Sequence, residues 1–226
     1  MEKICNYLIC LFVMAFAFQS LYAQQPPFYE EIQKLKKQDS ISFPPKNAIL
    51  FVGSSSFRKW EDVQSYFAKY TIINRGFGGS TLPDVLRYAN DIILPYHPKQ
   101  VVIYCGDNDL ASSDTITPKI VADRFKTLFH IIRKNLPEAN ISYVSIKPSP
   151  SRMHLMPEMK QANLLIKSFL QKQRNTCFIN VFNPMLLPDG QPRREIFLED
   201  SLHMNKKGYD IWKKAIQPYL IKNKFE

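Results

Sequence analysis

Glycine is scarce in this chain, at 7 of 226 residues. Cysteine is scarcer, at 4, too few for a disulfide-stapled scaffold. Acidic residues fall short of basic ones, 20 against 30, leaving a formal charge of +10 and a sequence pI of about 9.4. That excess favours anionic partners such as nucleic acid, acidic glycans or anionic lipid, without choosing among them and without bearing on the fold. Internal repeats, low-complexity tracts and long linkers are missing, so a single domain is the economical organisation. Apolar material is plentiful: 45% hydrophobic residues, with 16 Phe and 11 Tyr, supply a sizeable core and exclude disorder.

The longest apolar run, residues 7–18, falls short of the ~20 residues that span a bilayer comfortably. Lys3 precedes it, and Leu21-Tyr22-Ala23 follows it before Gln24. A basic tip, a short apolar stretch and a small residue at the cut describe a secretory signal peptide over residues 1–23, cleaved after Ala23. The mature chain is then residues 24–226, secreted or periplasmic, with no integral membrane span; an uncleaved N-terminal anchor is the alternative. Cleavage removes Glu2 and Lys3 together, so the charge stays at +10, and it removes Cys5 and Cys10. Cys105 and Cys177 remain, each in an apolar run where a small buried thiol is the expected state; a disulfide between them in an oxidising compartment is the alternative.

Past Ala23 the pattern alternates. Apolar, β-branched runs predict strands at residues 48–52, 71–74, 101–105, 141–146 and 177–182. Between them, helical periodicity covers residues 57–70, 82–94, 118–135 and 156–173, with further helices at 29–37 and 206–221. Strands that read as continuous apolar runs and alternate with helices belong in a parallel sheet covered on both faces. In such a doubly wound domain, chemistry sits in the loops beyond the carboxyl ends of the strands.

The few glycines gather there. Five of the seven, Gly53, Gly76, Gly78, Gly79 and Gly106, follow the first three predicted strands. Tight strand-to-helix turns account for one glycine per turn but poorly for Gly76-Phe77-Gly78-Gly79. The first turn continues into Ser54-Ser55-Ser56; one serine suffices to cap a helix, which leaves room for a nucleophile. The third is Gly106-Asp107-Asn108-Asp109, where the Asn amide either donates into a site or closes an Asx turn. Near the C-terminus, Asp200 precedes His203 by three residues, close enough to fix the imidazole tautomer that makes Nε2 a base, although on its own such a pair reads first as a surface pair.

Taken together, Gly53-Ser54-Ser55-Ser56, Asn74-Arg75-Gly76-Phe77-Gly78-Gly79, Gly106-Asp107-Asn108-Asp109 and Asp200-x-x-His203 resemble the four ordered blocks of the SGNH (GDSL-type) hydrolases. The resemblance runs from about residue 48 to residue 216. It implies a single three-layer α/β/α sandwich with a five-stranded parallel sheet of flavodoxin-like order, and ester hydrolysis through a serine nucleophile. Carried over by position, it implies Ser55 as nucleophile, Asp200 and His203 as the rest of the triad, and an oxyanion hole of the Ser55 and Gly79 N–H groups with the Asn108 amide. The family's usual Gly-Asp-Ser is here Gly53-Ser54-Ser55; that Asp is not the catalytic acid, so the triad stays intact. Related forms with serine there include secreted bacterial members and proteins similar to platelet-activating-factor acetylhydrolase subunits, which implies short acyl groups.

The expected activity is therefore a secreted serine esterase removing acetyl or other short acyl groups, from a glycan or a small molecule. It needs no metal or organic cofactor and has no nucleic-acid partner. Two other readings stay open: a non-catalytic binding protein for acidic polysaccharide on the same fold, and an acyltransferase with the same triad. The Pro-rich loop after the fourth strand reads first as a rigid connection, since its prolines alone explain its stiffness; Arg152 and His154 there are candidate substrate contacts. The lysines of the last helix, Lys206, Lys207, Lys213 and Lys214, read as a solvated face.

Overall fold

A computed structural model describes residues 25–222. The expected signal peptide, residues 1–23, lies outside the described residues. The elements run in the order α1 (Tyr29–Ile41), β1 (Ile49–Gly53), α2 (Ser55–Arg58), α3 (Val63–Tyr66), β2 (Ile72–Gly76), α4 (Leu82–Arg87), α5 (Ala89–Ile92), β3 (Gln100–Tyr104), α6 (Asp107–Ser112), α7 (Pro118–Asn135), β4 (Asn140–Val144), α8 (Met156–Leu170), β5 (Thr176–Ile179) and α9 (Lys206–Ile216), with short 3-10 turns between several of them.

The five strands form one sheet in the order β2-β1-β3-β4-β5, and every neighbouring pair is parallel. That is the expected flavodoxin-like order. Strand periodicity of two divides each central strand between two cores. Leu50 and Val52 of β1, with Val101 and Ile103 of β3, pack on one face against α1, α4, α7 and α8. Ile49 and Phe51, with Val102 and Tyr104, pack on the other against α2, α3 and α9. Three layers result.

Helix α7 matches its predicted span. Thr117 accepts from the Ile120 N–H at 3.3 Å, Pro118 opens the first turn, and Val121, Phe125, Leu128 and Ile132 form the buried stripe. The single helix expected over residues 57–70 is instead α2 and α3. Trp60 is fully buried against Phe51, Tyr209 and Trp212, and Asn74 Nδ2 donates to the carbonyls of Phe57 (2.7 Å) and Trp60 (3.3 Å). A side chain on β2 therefore takes carbonyls that a continuous helix would have used itself. The span 82–94 also divides, at Tyr88, whose backbone leaves helical geometry. Residues 107–109, read as part of a turn, open α6.

Cys105 and Cys177 are free, and Cys177 Sγ lies 3.0 Å from Ser142 Oγ. Among the described residues, no helix is long and apolar enough to cross a membrane.

Candidate active site

Gly53 lets β1 deliver its serines to the sheet edge. Its φ is +132°, and a Cβ there would sit 1.9 Å from the Tyr104 carbonyl oxygen on β3. Only glycine allows the backbone this close to the neighbouring strand. Ser54 N–H then donates to the same Tyr104 carbonyl at 2.9 Å, and α2 begins at Ser55. The three serines face different surroundings. Ser54 and Ser56 are buried, whereas Ser55 is half-buried and within reach of the C-terminal loop.

In that loop, His203 Nε2 lies 3.0 Å from Ser55 Oγ, and His203 Nδ1 lies 2.5 Å from Asp200 Oδ2. The other Asp200 oxygen accepts from the backbone N–H groups of Leu202 (3.0 Å) and His203 (2.9 Å). Burial opposes ionisation of Asp200. The His203 ring and the two backbone donors outweigh it and hold the carboxyl well below the usual carboxylate range. The arrangement is a serine hydroxyl, a base and an orienting carboxylate in hydrogen-bonded sequence. It joins residues 148 positions apart.

The second and third loops meet beside Ser55. Asn108 Nδ2 donates to Ser54 Oγ at 2.7 Å and to the Ser80 carbonyl at 3.1 Å. The amide thus lies between the residue before Ser55 and the residue after Gly79. Gly79 is exposed with φ +63°, and a Cβ there would meet nothing within 4 Å. No protein atom would crowd that Cβ; the positive φ is what favours glycine. Ser54, where the family pattern has Asp, is a buried acceptor for Asn108.

Asp109 holds the two loops together from below. It is fully buried, accepting from Leu82 N–H at 2.9 Å and Arg124 Nη1 at 2.7 Å, and burial pushes its carboxyl upward. On the outer side, Glu31 of α1 accepts from the Gly78 N–H and pairs with Arg58 Nε at 2.6 Å. The roles of Glu31 and Asp109 were not legible in the sequence. Nothing local marks the first, whereas the second sits inside the Gly-Asp-Asn-Asp motif.

Arg152 does not face solvent as a substrate contact would. Its Nη2 donates to Asn108 Oδ1 at 3.0 Å, and its Nη1 lies 2.6 Å from Asp107 Oδ1. His154 is exposed on the same 3-10 stretch, Pro150–Leu155. A cavity of about 280 Å³ between α8 and the end of β5, lined by Lys160, Asn163, Phe178 and Phe182, contains none of these residues. Among the described residues, no group of three or more His, Cys, Asp or Glu is placed to hold a metal ion.

The family model of the GDSL-like lipase/acylhydrolase family matches residues 39–211. No curated protein sequence matches the chain. Solved structures share the fold. A Streptococcus pneumonia protein described as a platelet activating factor is 22% identical, with a TM-score of 0.75 over 92% of this chain and 99% of that one. A GDSL-like lipase from Bacteroides thetaiotaomicron is 20% identical, with a TM-score of 0.69 over 83% and 96%. An acetyl-xylooligosaccharide esterase from Geobacillus is 14% identical, with a TM-score of 0.59 over 77% and 94%.

Proposed function

The chain belongs to the GDSL-like lipase/acylhydrolase family, which makes it a carboxylic ester hydrolase, and on that premise we propose that it is exported and removes acetyl or other short acyl groups from a glycan through Ser55, His203 and Asp200. The observation that carries this reading is the hydrogen-bonded chain from Ser55 Oγ through His203 to Asp200, at 3.0 and 2.5 Å.

In the proposed reaction, Ser55 Oγ attacks the ester carbonyl carbon while His203 Nε2 takes its proton. Asp200 holds the ring tautomer and stabilises the imidazolium. The Ser55 N–H, the Gly79 N–H and the Asn108 amide face the developing oxyanion, each donor typically worth ~3–4 kcal/mol of barrier. Both Asn108 Nδ2 hydrogens have acceptors, and Ser54 Oγ is the one that can rotate away and release a hydrogen to the oxyanion. Collapse of the tetrahedral adduct returns the proton from His203 to the leaving alcohol. Water then attacks the acyl-enzyme, with His203 again the base.

Short acyl chains agree with the polar, Pro-rich loop over residues 147–154, which reaches the site through Arg152. Met153 and Leu198 are exposed apolar side chains on the loops carrying Arg152 and Asp200. A glycan carrier agrees with the acetyl-xylooligosaccharide esterase among the structures of the same fold. Activity on p-nitrophenyl esters of graded length tests the acyl preference: acetyl and butyryl esters are expected to turn over far faster than octanoyl or longer ones. Faster cleavage of long chains would make the protein a lipase. A polysaccharide-binding protein without catalysis would release no p-nitrophenol above the Ser55→Ala background. Export is tested by sequencing the N-terminus of protein recovered outside the cytoplasm, expected to begin at Gln24. An N-terminus at Met1 would replace cleavage with anchoring.

A further inference from the structure

The loop between β4 and α8 touches both halves of the candidate site through consecutive residues. Ser151 donates through its N–H (3.1 Å) and its Oγ (3.0 Å) to the Ser201 carbonyl. Ser201 lies between Asp200 and His203 and has φ +55°, a left-handed conformation that serine seldom adopts. The next residue, Arg152, leaves helical geometry in the middle of its 3-10 stretch, with φ −123° and ψ 31°. Its side chain turns inward and reaches Asn108 Oδ1 with one nitrogen and Asp107 with the other. Behind them, Lys147 is fully buried; its Nζ lies 3.6 Å from Asp107 Oδ2 and has no hydrogen-bond partner among the described residues. Burial pushes its ammonium down, opposed by Asp107. Two cations thus surround one buried carboxylate directly behind the Asn108 amide.

We propose that Arg152 is a positioning residue for ester hydrolysis, holding the Asn108 amide with Nδ2 toward the oxyanion while its loop ties that donor to the Asp200–His203 turn. The inference rests on the reading of Asn108 as an oxyanion donor. An Asn amide is nearly symmetric in shape, and a half-turn about its last torsion exchanges donor for acceptor. Arginine has donors only, so at Oδ1 it accepts one orientation of the amide and opposes the other. Its planar fork spans Asp107 and Asn108 together, which a lysine ammonium does not reproduce. The positive charge also draws electron density toward Oδ1, which makes the Nδ2 hydrogens better donors.

The test compares Arg152→Met, Arg152→Lys, Asn108→Ala and the Arg152→Met/Asn108→Ala double variant on p-nitrophenyl acetate, with melting temperatures alongside. Either Arg152 change is expected to lower kcat about ten- to a hundredfold with KM within about twofold. Arg152→Lys keeps a cation beside Asp107, so it is the variant to read if Arg152→Met does not fold. Asn108→Ala is expected to lower kcat about 10²–10³-fold, and the double variant to lose no more than Asn108→Ala alone. A raised KM at unchanged kcat would make Arg152 a substrate contact. Losses that multiply in the double variant, or wild-type kcat in Arg152→Lys, would also overturn the proposal. Wild-type kcat in Asn108→Ala would instead remove the oxyanion role of Asn108, and this inference with it.

Discussion

Ser55→Ala and His203→Ala are each expected to lower kcat by roughly 10⁴ or more, and the double variant to lose little beyond either one. The reason is that one proton passes between the two groups. Without His203 the imidazole 3.0 Å from Ser55 Oγ that takes it is gone, and without Ser55 no oxygen is there to give it up. Asp200→Asn should be severe but milder, since an unoriented imidazole still samples the reactive geometry. The pH profile follows from the same chain of contacts. Asp200 is held well below the usual carboxylate range by the His203 ring and two backbone donors, against its burial. It therefore stays ionised across the assayed range and adds no ionisation of its own to the acid limb of the profile. Steady-state kinetics from pH 4 to 9 would reveal either a limb of slope two, which adds a second essential group, or a largely active His203→Ala, which would dismantle the triad.

The second large effect is on stability. Gly53→Ala should cost more than about 4 kcal/mol, lowering the melting temperature by about 10 °C or more or preventing soluble expression. The new Cβ would lie 1.9 Å from the Tyr104 carbonyl oxygen, and φ +132° is a conformation that alanine seldom adopts. Neither strand can move away cheaply. β1 and β3 are paired over five registered residues, and the same Tyr104 carbonyl accepts the Ser54 N–H. A variant melting within a few degrees of wild type would mean that the β1–α2 turn relaxes in a way the close packing opposes.

Strand identity, the parallel doubly wound sheet and the edge carrying the loops were all legible, because continuous apolar runs with periods of 2 and 3.6 are local properties of a chain. Helix α7 could be read to the residue because Thr117, Pro118 and the Val121–Ile132 stripe agree with one another. The helix over 57–70 could not, because the group that interrupts it, Asn74, arrives from another strand. The single helix assigned to 82–94 likewise missed the break at Tyr88, whose hydroxyl is committed to the Pro27 carbonyl 61 residues away.

The candidate site divides in the same way. Ser55, Gly79, Asn108, Asp200 and His203 are marked in the amino-acid sequence by residue type, by neighbours and by their place after strands. Through their resemblance to the blocks of the GDSL-type hydrolases they pointed to an α/β esterase and to its candidate residues. Which serine meets His203, that Asn108 is bonded to Ser54, and that Arg152 points at Asn108 rather than at solvent were decided by tertiary structure. Those contacts join residues 148, 54 and 44 positions apart. Their geometry depends on the packing of separate loops, and a side chain's direction across such a gap leaves no periodic or compositional trace along the chain.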